Sequence, residues 1–355
     1  MVPLCSLSRL YRQEKVSFEL IMPTQAKLRR LINNSNWAHL IDPEKYDDMS
    51  DKNERNLAAI QYCTAEEHFK AVDASVDLML SVLPGIDRSR FKALEWSLNE
   101  ITDNVLNHAN SPIGGIMQVS TFPTKNRVEF YVCDAGITIP KSLRTGRPDI
   151  RDDTSALRAA IDEGVTRNLE TNRGNGLFGT YKCCAVSGGD FEILSGFISL
   201  KSKTGSTTAT RNKIPFHGTF VRASIDYRFD KLLEKALVFS GRNHDPGYDF
   251  IERKYQPNSE TIEFHVATEL QAFGSREAGR LARTKITNLM DNRSTPVEFD
   301  FDGVRIVSSS FADEVFGMLF LELGALSFNH LCRFKNIDST VRSLIDRAIA
   351  QRMKF

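Results

Sequence analysis

One apolar stripe and the hairpin pattern next to it constrain this chain most. Phe91, Leu94, Leu98, Ile101 and Val105 recur at spacings of three and four, the pattern of a helix with one buried face. Asn110-Ser111-Pro112 ends that helix, and two alternating segments come after it, Ile116 to Phe122 and Arg127 to Cys133, joined by Pro123-Thr124-Lys125-Asn126. That order predicts a helix leading into a β-hairpin. A polar stretch from Lys141 to Asn175 holds a short helical pattern, Ser155 to Glu163, and then a glycine cluster. Strand-like runs resume at Phe191 to Ser195 and Thr219 to Ile225. Helices laid on an antiparallel-rich sheet make an α+β sandwich.

At roughly 150 residues per domain, 355 residues allow about two domains. Residues 1–85 are helix-leaning and polar and read as a helical N-terminal extension; 86–229 hold the sandwich. Breakers at Gly241, Asn243, Asp245-Pro246-Gly247 and Pro257-Asn258-Ser259 mark a connector over 230–260. Residues 261–355 carry a second pattern. A helix with Ala278, Leu281, Ala282, Ile286 and Leu289 precedes a buried strand with Val297, Phe299 and Phe301 on one face, then Val304 to Val307. Helices from Ala312 to Leu323 and from Ser339 to Ala350 complete a small α/β domain.

Lys and Arg number 46 against 45 Asp and Glu, a net charge of +1, so no broad field draws the chain to nucleic acid or an anionic membrane, although a local basic patch stays open. Nucleic acid is therefore not indicated as a partner. None of the six cysteines forms a CxxC pair, and free thiols fit a reducing cytoplasm. The start, MVPLCSLSRLYRQEK, lacks the apolar core of a signal peptide, and no run approaches about 18 apolar residues. A cytoplasmic protein with no membrane partner is expected.

Three short segments carry chemistry. Glu100 and Asn104 lie four apart, one helical turn from each other beside the apolar stripe. An amide oxygen can ligate Mg²⁺ while a carboxylate orients water; the alternative is a solvated helix face. Asp134 closes the apolar face of Val128, Phe130 and Val132 and precedes Ala135-Gly136. A buried carboxylate there needs hydrogen-bond donors and suits an exocyclic amino group; the alternative is an Asp-Gly turn satisfying its own backbone. Gly174-Asn175-Gly176-Leu177-Phe178-Gly179 leads into a helical run, Thr180 to Val186, where backbone N–H groups could cradle phosphate. It comes after no clear strand, so a dinucleotide-binding βαβ unit is excluded.

Together, Asn99-Glu100-Ile101-Thr102-Asp103-Asn104, Asp134-Ala135-Gly136 and Gly174 to Gly179 resemble the N, G1 and G2 boxes of the GHKL superfamily of DNA gyrase, heat-shock chaperones, histidine kinases and mismatch-repair ATPases. The resemblance runs from about Phe91 to Ile225, and Glu100 to Ala109 is most similar to the anti-sigma-factor serine-kinase branch. It implies a GHKL (Bergerat) α/β sandwich binding ATP and Mg²⁺. By the resemblance Glu100 is the general base and Asn104 the Mg²⁺ ligand. Asp134 holds adenine beside Gly136, Gly174, Gly176 and Gly179 surround the phosphates, and Thr219 supports Asp134. Pro140 to Gly174 would be the lid, where Arg167 or Arg173 reaches phosphate or is simply a solvated loop charge. One departure stands in the G1 segment, where Thr138 replaces a second glycine.

Residues from about 270 to 355 resemble the STAS-like family related to anti-sigma-factor antagonists. That resemblance makes Ser309, in Ser308-Ser309-Ser310-Phe311, the matching phosphoacceptor position, while the local pattern makes Ser310 a helix N-cap with Asp313 three residues on. The fold expected is α+β, a GHKL sandwich followed by a small α/β STAS-like domain. Two functions are expected in turn. One is an ATP-binding signalling protein, a Mg²⁺-dependent ATPase or serine-kinase-like switch controlling a protein partner, with a homodimer open to it. The other is a non-catalytic, nucleotide-gated interaction module. Gyrase-like DNA remodelling lacks a second domain of that kind. A histidine sensor kinase is not expected, because His108 sits inside the nucleotide-binding helix rather than on a separate dimerisation hairpin.

Overall fold

The structure, a computed structural model, describes all residues except 51–56, 166–174, 204–205, 248, 258–259, 271 and 354–355. It divides into two compact units, Met1–Leu78 with Ser89–Pro246, and Met79–Arg88 with Gly247–Phe355. Among the described residues no helix is long and apolar enough to cross a membrane.

The first unit contains α1 (Val2–Gln13), α2 (Ala26–Asn34), α3 (Trp37–Ile41), β1 (Ile60–Tyr62), most of α4 (Ala65–Val82), α5 (Arg88–Asn104), β2 (Gly115–Phe122) and β3 (Arg127–Asp134). It continues through α6 (Ile139–Gly146), α7 (Asp153–Ala159), α8 (Gly176–Val186), β4 (Asp190–Lys203), β5 (Ser206–Asp226), α9 (Leu232–Ala236) and the two-residue strands β6 (Val238–Phe239) and β7 (Arg242–Asn243). The five longer-range strands form one antiparallel sheet in the order β1-β2-β3-β5-β4. The hairpin turns where expected: a 3-10 turn over Pro123–Lys125 ends at Asn126 with φ 54°, a left-handed position that asparagine tolerates.

Period two sends Tyr131 and Cys133 of β3 to one face of the sheet, where Val2, Cys5, Leu40 and Ile41 of α1 and α3 pack against them. Val132, paired with Val221 of β5, points to the other face and shares a cavity with Ile101 and Val105. The apolar stripe of the sequence is thus the helical layer over that cavity. Helices α1 and α3 supply the layer over Tyr131 and Cys133, and β1 is the edge strand of the sheet, which no alternation in the sequence announces.

Three elements differ from the sequence pattern. The last turn of the α5 stripe is a π-helical turn, Val105–Ala109, closed by Asn110 at φ 48°. The polar stretch after Lys141 hides α6, whose N-cap is Thr138 and whose first turn carries Pro140. β4 and β5 run far beyond the expected short strands, because register shifts around Gly196 absorb residues that interrupt any alternation.

The second unit contains α10 (Phe250–Tyr255), β8 (Ile262–His265), α11 (Val266–Glu269), α12 (Arg276–Leu289), β9 (Val297–Asp300), α13 (Ser309–Ala312), α14 (Met318–Leu323), α15 (Ala325–Leu331), β10 (Cys332–Lys335) and α16 (Ser339–Arg352). Its parallel sheet, β10-β9-β8, buries Phe264, Phe299 and Phe316 in one aromatic core. β9 stops at Asp300; Val304 to Val307 is irregular, with Val304 and Val307 buried as single anchors. Met79–Arg88 is held in this unit by the buried amide of Asn288, whose Nδ2 donates to the carbonyls of Leu80 and Leu83 at 2.8 and 2.7 Å. Its Oδ1 accepts the Ile86 N–H at 3.2 Å.

Replacing Asn288 by Ala strands three backbone groups in a dry environment. The expected loss is about 2–4 kcal/mol in urea unfolding of the full chain, and a loss within about 0.5 kcal/mol would contradict this role.

Candidate functional site

The cavity of the first unit encloses about 930 Å³ of space, open solvent at its mouth included. Its walls are mostly apolar, from Ile137, Ile139, Leu143, Val165 and Leu177, with a few polar groups set among them.

Asp134 is the most deeply placed of these, 4% exposed at the end of β3. Its Oδ1 accepts two backbone N–H groups, from Gly136 at 2.8 Å and from Thr219 at 3.2 Å. It satisfies an Asp-Gly turn and also accepts from the neighbouring strand β5. Oδ2 receives no hydrogen bond among the described residues. Burial raises the Asp134 carboxyl to about 7, against the pull of the two N–H donors.

Behind Asp134 stands Ser195, which belongs to none of the three sequence segments. Its hydroxyl donates to the Gly218 carbonyl at 3.1 Å and accepts the Ile139 N–H at 2.9 Å. Its single proton being spent, the 3.0 Å bond to Thr219 must be donated by Thr219, whose Oγ1 keeps its lone pairs as an acceptor at the cavity wall. The signal for Ser195 is its phase: Phe191, Ile193 and Ser195 share a strand face, and a hydroxyl on an apolar face needs partners.

Glu100 and Asn104 of α5 line the same cavity, one turn apart and half-buried rather than on a solvated face. Burial, reinforced by the nearby Asp103 charge, raises Glu100 to about 7. Gly176 opens α8 directly against it: a Cβ there would lie 2.1 Å from Glu100 Oε2. Gly136 is pressed on the π turn instead, where a Cβ would lie 1.9 Å from the Ala109 carbonyl oxygen. Gly179 faces away from the cavity, buried against Trp96. So Glu100, Asn104, Asp134, Thr219 and Gly176 come together in one cavity with Gly136 beneath its rim, whereas Gly179 packs the helix. Gly174, Arg167 and Arg173 lie outside the described residues.

Thr138 adopts φ −71°, ψ 151°, ordinary extended backbone, and its Oγ1 accepts the Lys141 N–H at 3.3 Å. The position caps α6 and needs no glycine. Among the described residues no group of three His, Cys, Asp or Glu is arranged to hold a metal ion.

In the second unit, Ser308 rather than Ser310 caps α13: its Oγ accepts the Phe311 N–H at 3.0 Å and shares a 3.0 Å bond with Ser310. The expectation for Ser310 fails because Ser308 has the extended backbone of an N-cap and Ser309 is already helical. Residues 278–342 match the family described as a STAS-like domain of unknown function (DUF4325). The chain carries a C-terminal STAS-like domain. In the STAS-like domain Ser309 is the first residue of α13, exposed after β9 and its loop. No curated protein matches the chain.

Glu100 binds its proton near about 7 in the folded chain against 4.5 ordinarily, and Asp134 near about 7 against 3.8. Between those values the folded state holds more protons than the unfolded one, so both groups lower stability as pH rises through this window. Glu100→Gln should therefore gain in melting temperature over wild type on going from about pH 5 to about pH 8. A gap between the two proteins that stays constant over that range contradicts the burial of the carboxyl.

Proposed function

We propose that the cavity binds ATP and that the chain is a nucleotide-dependent signalling switch. In this reading the first unit is GHKL-like and the STAS-like domain engages a protein partner. The observation that carries it is the pair of acceptors, Asp134 Oδ2 and Thr219 Oγ1, in an apolar slot that also holds Glu100 and Asn104.

A planar base with an exocyclic amino group suits those acceptors, and the Ile, Val and Leu walls suit its faces. An N–H donated to Asp134 favours its charged form, so base binding pulls the carboxyl below about 7. The first-turn N–H groups of α8, which no intrahelical carbonyl serves, lie on the Glu100 side and suit phosphate oxygens. Mg²⁺, when bound, would neutralise phosphate charge. With no three-residue cluster for it among the described residues, it would rest on Asn104 Oδ1 and phosphate oxygens, a mode that suits this ion.

Glu100 then acts as general base. Its carboxylate takes the proton of an attacking water or serine hydroxyl, and a pKa near about 7 places it where a base works best at neutral pH. Gly176 leaves Oε2 uncovered by a side chain at the start of α8. If the hydroxyl belongs to a serine, the exposed Ser309 is the acceptor to examine first.

Calorimetry with ATP and Mg²⁺, run beside phosphate release, tests the reading. Asp134→Asn should weaken ATP binding on the order of 10- to 100-fold. Glu100→Ala should keep the affinity and abolish phosphate release, and mass spectrometry after incubation should find phosphate on Ser309 if transfer rather than hydrolysis occurs. Wild-type turnover in Glu100→Ala removes the base assignment, and absence of ATP binding removes the reading itself. Tight binding with no release would leave the non-catalytic, nucleotide-gated module.

A further inference from the structure

β3 pairs with β5 only from Phe220 to Asp226, so the earlier part of β5 runs past the end of β3 with β4 alone beside it. Six registered pairs, Ile198↔Arg211 to Lys203↔Ser206, make a two-stranded ribbon there. One face of it is dry: Ile198 and Leu200 are 1% and 0% exposed, and α7 packs on β4. The opposite face has a different composition. Lys201 stands across from Thr208, Lys203 across from Ser206, and Ser199 across from Thr210, all exposed except the half-buried Ser199. At the base of the ribbon Arg211 lies 4.7 Å over the ring of Phe197, and the neighbouring Lys213 is exposed.

The charge pattern is one-sided. From Ile193 to Ile225 the sequence has Lys201, Lys203, Arg211, Lys213 and Arg222 and no Asp or Glu. Arg222 is bound to Glu129 at 2.7 Å, and Lys201 reaches Glu192 at 3.0 Å, a solvent-exposed pair of small energetic weight. In a chain whose net charge is +1, Lys201 and Lys203 on the exposed face, with Arg211 and Lys213 at the base of the ribbon, are a concentrated positive field.

We propose that this ribbon binds the phosphate backbone of nucleic acid, with duplex DNA as the partner. Same-face side chains on a strand recur every ~6.8 Å, a spacing that lets Lys201 and Lys203 meet separate phosphates along a strand carrying a charge every ~3.4 Å. The hydroxyls of Ser206, Thr208 and Thr210 add phosphate donors between them. Lysines and hydroxyls position a backbone without reading bases, so the binding is sequence-independent. A lipid surface fits less well, because interfacial binding needs buried apolar area and Ile214 is the one large hydrophobic exposed on the described part of the ribbon. The proposal is independent of the nucleotide cavity.

Fluorescence anisotropy with the full chain, no added ATP and a labelled duplex of about 25 base pairs tests it, over salt from about 50 to about 200 mM. Four phosphate contacts give a slope of log affinity on log salt of about −3.6. The triple variant Lys201→Gln, Lys203→Gln, Lys213→Gln should bind at least roughly tenfold more weakly at the lowest salt, with the slope reduced in size by about 2.7. All three side chains are exposed, so an unchanged melting temperature checks the fold. Equal binding by wild type and variant overturns the proposal, as does absence of wild-type binding at protein concentrations up to about 100 μM. Binding to phosphatidylcholine–phosphatidylserine vesicles without binding to duplex overturns it in favour of a membrane surface.

Discussion

A carboxylate at the dry end of a strand cannot be left unpaired, and Asp134 finds its donors in the backbone. An unsatisfied carboxylate there would cost on the order of several kcal/mol. One donor, Gly136 N–H, comes from the adjoining turn; the other, Thr219 N–H, comes from the neighbouring strand. A single oxygen thereby ties the end of β3 to its turn and to β5. Close approach is part of the same arrangement, since Gly218 at φ 101° sits where a Cβ would lie 2.2 Å from the Asp134 carbonyl oxygen. The turn is fixed in its own right by the 2.6 Å bond from Ile137 N–H to the Ala109 carbonyl at the end of the helix carrying Glu100 and Asn104. The cavity is the space left between these constraints.

Much of this is legible in the sequence because it is periodic. The stripe from Phe91 to Val105 and the alternation through Val128, Phe130 and Val132 mark the helix, the hairpin and the strand end where Asp134 stands, and the cavity lies between them. The hidden parts lack a period. β1 is three residues long and exists through its pairing with β2. α6 begins at a proline after a capping threonine, a pair that looks like loop. The far part of β4 and β5 is a hydroxyl-rich run interrupted by Gly196 and Pro215, with its inward face visible only once α7 lies on it. Three consecutive serines offer the same capping side chain, so the choice of Ser308 rests on backbone angles that composition does not encode.

The near-zero net charge conceals an uneven distribution. The cavity holds acids whose burial makes them reluctant to ionise, Glu100 and Asp134. The ribbon holds cations with few acids to answer them. The second unit spends its charges internally, as where Arg352 and Arg276 both bind Asp313 and Lys285, 1% exposed, binds Glu269. A sum over the chain erases those differences, which are set by which groups the fold brings face to face.

The π turn at Val105–Ala109 bears on how such a chain can vary. It seats one residue more than the α-helical path would, and it delivers the Ala109 carbonyl to Ile137 and Gly136. Deleting one residue there would close the turn back to the α-helical path and withdraw the extra residue by which the chain reaches Ile137 and Gly136. Among sequences built on the same plan, a one-residue gap within those five positions would mark a helix that has lost the π turn.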